Sequence, residues 1–407
     1  TVTREKLDEV LLDREQYHPL PLPGSASWKT LDPVLREKII EEGEEYLDYD
    51  WPSLLAIRYM DYDLNGDRSR YARRYYGRRD VLATLVMAEI MENKGRFLPD
   101  IINGIWLICE ETTWVVPAHS GGDKLHDHDD TYVDLFSAET GALLAWIHYF
   151  LETPLKKYTP LITERIQHEL QRRILRSMLE HDDYWYMGFG ERVPNNWNPW
   201  IVSNWLPVIL LMQEGPERSE SVWKAMKVLD NFLMHYPSDG GCDEGPGYWG
   251  RAGASLFDCL YQLEGATRGG INLYETPLIR RMGQYIYRMH IHENWYVNFA
   301  DGSAQRKHPP ELIYRYGKAI NDSNMMGFAC YLFQHQSEKI RNPRIPSHSP
   351  LGVRYIPGLF VRKEMEQCSH TYTPVMQYFF PDLEVMVARE EISGKGFFAA
   401  IKGGFND

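Results

Sequence analysis

Apolar side chains recur at helical spacing through most of the chain. Ile162, Ile166, Leu170, Ile174 and Met178 follow one another every four residues, with charged side chains between them. This spacing places the apolar side chains on one stripe of an α-helix and leaves the opposite face to solvent. The pattern therefore predicts an amphipathic helix in the outer layer of a helical domain.

The segment 135–151 has a different pattern, because apolar residues cover it almost all round. A helix of this kind has to be buried on every side. Helices with one apolar stripe alternate with such apolar helices along the chain, which is typical of helical hairpins in two concentric layers. We predict a mainly α fold, an α/α toroid of about six helical hairpins. Further helices are predicted near residues 33–46, 52–60, 80–93, 100–113, 200–213, 222–233, 250–264, 276–290 and 311–333.

Short β-rich runs replace the helical pattern after about residue 345. The predicted strands lie at 359–361, 375–380, 383–389 and 397–401, and the third alternates apolar with other residues. Three or four strands make a poor free-standing sheet. We therefore predict a toroid domain over residues 1–345. Residues 346–407 would form the first strands of a C-terminal antiparallel β-sandwich that is truncated at Asp407.

Net charge narrows the classes of partner. The 407 residues include 44 Lys and Arg against 57 Asp and Glu, a formal charge of −13. Nucleic-acid-binding domains are usually basic, so no nucleic acid is expected as a partner. No apolar run approaches the roughly 18 residues of a membrane span. Six arginines between residues 68 and 79 are a local exception. They are either a solvated helix face or a positive groove suited to an anionic polymer.

The five cysteines do not form a recognisable framework. The number of cysteines is odd, and no Cys-x-x-Cys pair occurs among Cys109, Cys242, Cys259, Cys330 and Cys368. A zinc cage of thiolates is therefore not expected. Disulfides are also not expected in a chain of this size, and we predict buried free thiols.

A run of histidine and aspartate at 126–130, His-Asp-His-Asp-Asp, contains residue types that bind metals. The close spacing in a loop is a weak metal signal, because adjacent acids also cap a following helix through its dipole. No metal site is predicted in this chain.

Residues 192–200 form a loop unusually rich in amides and aromatic rings. Three asparagines and two tryptophans lie in six residues together with one of two prolines, and prolines and asparagines stop helices. One interpretation is a turn whose tryptophans pack in the core. The other is a binding platform, in which tryptophans stack on sugar rings and amides bind carboxylates or hydroxyls. The candidate binding residues are Arg192, Asn195, Asn196, Trp197, Asn198 and Trp200.

Residues 239–251 form a second loop, with five glycines before an apolar helix. Glycines let the backbone approach a ligand closely, although a flexible helix start would have the same composition. The loop lacks the Lys-Ser/Thr of a phosphate loop. Tyr248 and Arg251 are three residues apart and would share one helical face. A guanidinium there is expected to lower the pKa of the phenol.

Together these motifs resemble the heparinase II/III-like polysaccharide lyases. The resemblance rests on Asn195-Asn196-Trp197, on the sequence DGGCDEGPGY at 239–248, and on a β segment that ends in KGGFND at 402–407. It covers most of the chain and is strongest over 134–151, 194–205 and 239–263. It implies an α/α toroid followed by a β-sandwich, and a bacterial enzyme that is periplasmic or secreted.

The resemblance also implies a reaction, β-elimination at a uronic acid of an anionic polysaccharide. Asn196, or its neighbour Asn195, would offset the carboxylate charge, and Tyr248 would act as acid and, for some stereochemistries, as base. Some members carry a histidine after the paired asparagines, where this chain has Trp197. Glu244, Trp249 and Arg251 would support the substrate around these groups.

Many members take a further histidine from the sandwich, and some hold a metal there. In this chain such a histidine, and any zinc or calcium, would lie beyond Asp407. The 407-residue chain alone is therefore expected to be weakly active or inactive, with no cofactor of its own.

Two other functions remain open at this stage. A glycoside hydrolase on an α/α toroid needs two opposed carboxylic acids, for which Asp239, Asp243, Glu244 and Asp301 are candidates. They lack the separate apolar setting that marks an acid of raised pKa. A non-catalytic polysaccharide-binding protein is the other alternative. The particular uronate polymer and the oligomeric state are not indicated by the sequence.

Overall fold

The computed structural model describes residues 2–122, 124–335 and 350–404. It consists mainly of helices, with short strands towards the end of the chain. The helices are α1 (Arg4–Val10), α2 (Pro33–Glu44), α3 (Ala56–Asn65), α4 (Ser69–Glu92), α5 (Leu98–Cys109), α6 (Leu135–Tyr158), α7 (Pro160–Leu170), α8 (Arg176–Glu180), α9 (Trp197–Met212), α10 (Gly215–His235), α11 (Gly253–Ala266), α12 (Pro277–Arg288), α13 (Pro310–Ala319), α14 (Ser323–His335) and α15 (Ile356–Glu366). The strands are β1 (His290–His292), β2 (Trp295–Tyr296), β3 (Gln377–Phe380), β4 (Val385–Arg389) and β5 (Phe398–Lys402).

The helices form the two layers that the sequence pattern predicts. The inner helices α6, α9 and α11 are buried over most of their length, and α9 packs against the other two. The outer helices α7 and α10 bury one stripe each against α6 and α9. Burying apolar side chains on all sides of α9 requires neighbours all round it, which the double layer provides. The predicted mainly α toroid followed by antiparallel strands is confirmed.

Local sequence signals account for several helix ends. Asp32 caps α2 by accepting the Val34 N–H at 2.9 Å, and Pro33 is the first helical residue. The predicted helix at 162–178 is interrupted by one π-helical turn at Gln171–Leu175. The predicted helix at 311–333 is two helices. They separate where Asn321 adopts a left-handed φ of 53° and the next residue caps α14.

The predicted strand at 359–361 is wrong, because these residues lie in α15. A short apolar run does not distinguish a strand from a buried helix, and here Leu359 and Ile356 are buried as neighbours on one helix. Helical structure thus continues to Glu366. The predicted domain boundary at 345/346 lies outside the described residues, so the division into domains stays a prediction.

The other three predicted strands are present and form one antiparallel sheet in the order β3-β4-β5. Phe380 pairs with Val385, which pairs with Lys402. Phe380 and Val385 are fully buried, and the Phe380 ring lies 5.3 Å from that of Tyr285 on α12. The sheet therefore leans on the toroid through one face. Residues 405–407, which close the KGGFND motif, lie outside the described part of the chain.

The cysteine prediction needs a correction. Cys330 on α14 and Cys368 after α15 form a disulfide, whereas Cys109, Cys242 and Cys259 are buried free thiols as expected. The two partners are 38 residues apart, so sequence spacing carried no sign of their pairing. Among the described helices, none combines the length and the apolar character needed to cross a bilayer.

Candidate active site

The glycine-rich loop that carries Tyr248 is anchored at its first residue. Asp239 Oδ2 accepts hydrogen bonds from the backbone N–H groups of Asp382 (2.8 Å) and Leu383 (3.0 Å), between β3 and β4. Asp239 Oδ1 accepts another from the N–H of Gly241 at 2.8 Å. Both carboxylate oxygens of Asp239 are thus occupied by hydrogen bonds that hold the loop against the sheet. Asp239 is therefore unsuited to act as a hydrolase acid.

Two glycines allow the loop to lie against the chain that follows β2. Gly245 has a left-handed φ of +86°, and a Cβ there would come within 2.8 Å of the Phe299 carbonyl oxygen. Arg306 Nη2 donates to the carbonyl oxygen of Gly247 at 3.2 Å. This bond places Arg306 beside the residue that precedes Tyr248, a proximity that the sequence did not indicate.

Tyr248 and Arg251 are joined through turns and not through a helix, since α11 begins only at Gly253. The Arg251 N–H donates to the Tyr248 carbonyl oxygen at 2.8 Å. The Tyr248 side chain is partly buried. The two residues are therefore neighbours as predicted, although the geometry that joins them differs.

The pKa of Tyr248 is raised, which corrects the expectation that Arg251 would lower it. Burial is the largest cause, and the charges of Asp301 and Glu244 add to it. Arg306 and Arg251 lower the pKa but do not outweigh these effects. Tyr248 consequently keeps its proton at neutral pH, as a proton donor must.

Glu244 is an acid with a displaced pKa in the same loop. Burial, followed by the charges of Asp243 and Asp301, raises the pKa of Glu244 to about 7. The expectation from sequence that the candidate carboxyls lack such a setting is wrong for Glu244. Folding buries the side chain and places Asp301 beside it, a proximity that spacing does not reveal.

The paired asparagines stand at the start of α9. Asn195 Oδ1 accepts the Trp197 N–H at 3.0 Å and so shapes the turn. Asn196 is only 5% exposed, and its side-chain amide forms no hydrogen bond with any described residue. A buried amide without a partner is costly unless a ligand or water satisfies it. Asn196 is thus the amide that is free to bind a ligand group.

Two predicted substrate contacts belong to the core. Asn198 is fully buried, and its Nδ2 donates to the carbonyl oxygens of Tyr186 and Val228, both at 2.8 Å. Trp249 is also fully buried, and its Nε1 donates to the Met282 carbonyl oxygen at 2.8 Å. Neither side chain offers a surface to a polysaccharide, which corrects both assignments.

Trp200 and Arg251 meet across the site and share one acid. The Arg251 guanidinium lies 3.9 Å from the centre of the Trp200 ring. Glu139 Oε1 accepts the Trp200 Nε1–H at 2.8 Å and lies 3.3 Å from Arg251 Nη1. This cluster connects the asparagine helix to the tyrosine loop. Glu139 lies within the apolar segment 135–151, where no charge–aromatic contact could be foreseen.

A row of aromatic rings continues from Trp197 towards the exterior. The Trp197 ring lies 5.3 Å from that of Trp185, and the Arg192 guanidinium lies 3.8 Å from the centre of the Trp185 ring. Arg192 itself is exposed. Stacked rings beside a cation are suited to the apolar faces and carboxylates of acidic sugars.

His119 is a member of the site that sequence reasoning missed. Its ring centre lies 4.6 Å from that of Trp197, and its Nδ1 lies 2.7 Å from Asp134 Oδ2. The two partners are 15 residues apart, across a loop without periodic pattern. The fold places His119 beside Asp134 at the start of α6, and Trp197 at the start of α9 packs against the ring.

The arginine cluster at 68–79 is divided between the core and the surface. Arg78 and Arg79 are buried and both pair with Glu111, at 3.1 Å and 2.6 Å. The other four arginines are exposed at the start of α4 and just before it. Arg78 and Arg79 therefore belong neither to a solvated face nor to a positive groove, because they form internal ion pairs.

The histidine–aspartate run brings three residues of metal-binding type close together. Ligand atoms of Asp127, His128 and Asp129 lie within 4.8 Å of one another, and all three side chains are exposed. The predicted zinc or calcium beyond Asp407 concerns residues outside the described chain.

Comparison with solved structures shows a shared fold. The chondroitin AC lyase of Streptomyces coelicolor A3, solved in complex with chondroitin sulphate, superposes with a TM-score of 0.50 at 12% identity, over 95% of this chain and 52% of that chain. A Paenibacillus xanthan lyase aligns with a TM-score of 0.46 at 11% identity, over 98% of this chain and 40% of that chain. No protein-family model and no curated protein sequence matches the chain. The chain thus spans about half the length of a solved polysaccharide lyase and has the fold of that part.

Proposed function

We propose that this protein is a polysaccharide lyase that cleaves a uronic-acid-containing polysaccharide by β-elimination. The observation that carries the proposal is the Asn196 amide, which is 5% exposed and has no hydrogen-bond partner among the described residues. A largely buried amide without a protein partner, at the edge of an aromatic site, is prepared to bind a carboxylate or carbonyl oxygen. Trp197 and Trp200 follow it on the same helix.

The reaction requires a group that stabilises the carboxylate charge, a base and an acid. The proton α to the uronate carboxylate is weakly acidic, so hydrogen bonding from Asn196 must stabilise the negative charge that develops on the carboxylate. A base takes this proton. Tyr248, whose pKa is raised by burial and by Asp301 and Glu244, donates its proton to the departing glycosidic oxygen.

The charge distribution supports an anionic substrate in spite of the overall charge of −13. Three arginines contact the site: Arg192 lies over the Trp185 ring, Arg251 lies over the Trp200 ring, and Arg306 binds the Gly247 carbonyl oxygen. Cations beside the binding residues can pair with substrate carboxylates even on an acidic protein, because exposed charges farther than about 10 Å are screened at 0.1 M salt.

The decisive test follows the ultraviolet absorbance of the unsaturated uronate product. The protein, as this chain and in any longer natural form, is incubated with heparan sulphate, chondroitin, hyaluronan and alginate. We expect absorbance to grow with at least one polymer. Tyr248→Phe and Asn196→Ala should each reduce the rate by about 100-fold or more.

Matched controls are available on the protein surface. Tyr158→Phe and Asn103→Ala alter exposed residues of the same types and should leave the rate unchanged. No absorbance with any polymer from any form of the protein, or full activity of Tyr248→Phe, would refute the lyase proposal.

Glycoside hydrolysis is a second candidate, favoured by one observation. Glu244 has a pKa raised to about 7, the property of a general acid, and Asp301 is near enough to contribute to the shift. A hydrolase would release reducing ends without ultraviolet absorbance. Reducing-end release that Glu244→Gln abolishes and Tyr248→Phe does not would favour this function over elimination.

We also propose that the protein works in an oxidising compartment, periplasmic or extracellular. The Cys330–Cys368 disulfide supports this, because such bonds persist mainly outside the cytosol. Thiol labelling of the protein isolated from its native source tests the proposal. Three reactive thiols after denaturation are expected, whereas five would contradict it.

A further inference from the structure

We propose that His119, oriented by Asp134, is the base that takes the C5 proton of the uronate. This inference rests on the proposed elimination. His119 would supply the base of that reaction, in which Asn196 binds the carboxylate and Tyr248 is the acid.

The His119 ring is held in one orientation. Its Nδ1 lies 2.7 Å from Asp134 Oδ2, and its face is parallel to that of Phe136, with an interplanar angle of 5°. Asp134 is fully buried at the start of α6, where its Oδ1 accepts the Ser137 N–H at 2.7 Å. A carboxylate that receives backbone donors can only accept, so the ring carries its hydrogen on Nδ1.

The other ring nitrogen is consequently the basic one. With hydrogen on Nδ1, Nε2 presents a lone pair, and Nε2 forms no hydrogen bond with the residues that the structure describes. The side chain is 13% exposed, enough to touch a ligand while remaining largely shielded from water. An oriented imidazole with one open nitrogen is the form that a general base needs.

The position of the ring matches the geometry of the substrate. The ring centre of His119 lies 4.6 Å from that of Trp197, the residue that follows Asn196. In a uronate the carboxylate carbon is bonded directly to C5. A base for the C5 proton must therefore lie close to the amide that binds the carboxylate, and His119 packs against that amide's neighbour.

Two other histidines near the tyrosine loop are unsuited to this role. His290 is buried, and its two ring nitrogens face Tyr372 Oη and the Glu293 carbonyl oxygen, at 3.1 Å and 3.0 Å. His308 is also buried, and burial lowers the pKa of each to about 3.

The proposed step balances without a cofactor. His119 Nε2 takes the C5 proton, and the electron pair of that bond forms the C4–C5 double bond. The C4–O bond breaks, and its oxygen receives the phenolic proton of Tyr248. The Asp134 carboxylate offsets the charge of the imidazolium, which returns its proton to water while the phenolate regains one.

The test uses His119→Ala in the form of the protein that is active on the polymer panel. We expect the rate of product formation to fall about 100- to 10,000-fold, the usual contribution of a general base. Binding of the same polymer should stay within a factor of three, and added imidazole should restore at least a tenth of the lost rate. A residue that only supports the fold would not respond to imidazole.

His181→Ala is the matched control, because His181 also pairs with an aspartate, at 3.0 Å from Asp183, but is 45% exposed and outside the site. Its rate should be unchanged. If His119→Ala does not fold, His119→Gln keeps a donor for Asp134, lacks a basic nitrogen, and should show the same loss. Unreduced activity of either folded variant, or a loss that imidazole does not restore in His119→Ala, overturns the inference while the lyase proposal stands. Absence of elimination in the unmodified protein overturns both.

Discussion

The guanidinium of Arg251 lies 3.9 Å from the centre of the Trp200 ring, and the two side chains share one oxygen of Glu139. Trp200 belongs to α9, Glu139 to α6 and Arg251 to the tyrosine loop. A single acid thus holds together three parts of the chain that form the site. Because Glu139 contacts both side chains, it holds the Arg251 guanidinium over the Trp200 ring.

Removal of this arginine should weaken both binding and folding. We expect Arg251→Ala to raise KM for the polysaccharide about tenfold or more, and to lower the free energy of unfolding by about 1–3 kcal/mol, because Glu139 loses a cationic partner in a largely buried setting. Initial rates and urea unfolding measure the two effects. In the double variant Arg251→Ala/Glu139→Gln, stability should recover in part while KM stays high. Unchanged activity of Arg251→Ala would show that the arginine does not serve the site.

The raised pKa of Glu244 predicts how stability depends on pH. The folded pKa of about 7 exceeds the value of 4.5 for the free side chain, so the folded protein binds the proton more tightly than the unfolded chain. The stabilising effect is fully present below about pH 4.5 and is lost as the pH rises through about 7. Between about pH 4.5 and pH 7, the stability of Glu244→Gln should not show this decrease. Urea unfolding at a series of pH values measures it, with Glu37→Gln on the exposed face of α2 as control. Parallel curves for the unmodified protein and Glu244→Gln would contradict the assignment.

The anchoring of the tyrosine loop by Asp239 predicts a local opening. Asp239→Ala leaves the N–H groups of Asp382 and Leu383 without their acceptor, and we expect a loss of about 2–3 kcal/mol in the free energy of unfolding. Hydrogen exchange of residues 240–251 should accelerate more than exchange of α6. Asp382→Ala removes the matching contact to Ser238 and should act in the same direction. If the loop stays protected in Asp239→Ala, the sheet is not what holds it.

The disulfide between Cys330 and Cys368 should stabilise the end of the toroid. The bridge closes a loop of 38 residues, so loop-closure entropy suggests a contribution of about 3–4 kcal/mol. Cys330→Ser/Cys368→Ser should therefore unfold at lower urea concentration than the unmodified protein under non-reducing conditions. Dithiothreitol should destabilise the unmodified protein and leave the double variant unaffected. Equal stability with and without the bridge would show that α14 and α15 are held by packing alone.

The layered fold follows from features that short stretches of sequence contain. The stripe from Ile162 to Met178 and the all-round apolar segment 135–151 indicate an outer and an inner helix, and the structure has both. The run 359–361 misled because a short apolar run suits a strand and a buried helix equally well. Which of the two forms depends on neighbours far away in the chain, here the core that buries Leu359.

The sequence by itself determined the helical layers, the loops that carry the asparagines and Tyr248, and three of the strands, because periodicity, proline and glycine act over a few residues. Only the tertiary structure decided which side chains face the site. In the folded protein Asn198 and Trp249 are buried in the core, and the Asn196 amide has no partner among the described residues. Asp301 lies near Glu244. The tertiary structure also joined His119 to Asp134 across 15 residues. Burial, hydrogen-bond partners and pKa all depend on contacts between distant segments, and such contacts exist only once the helices have packed.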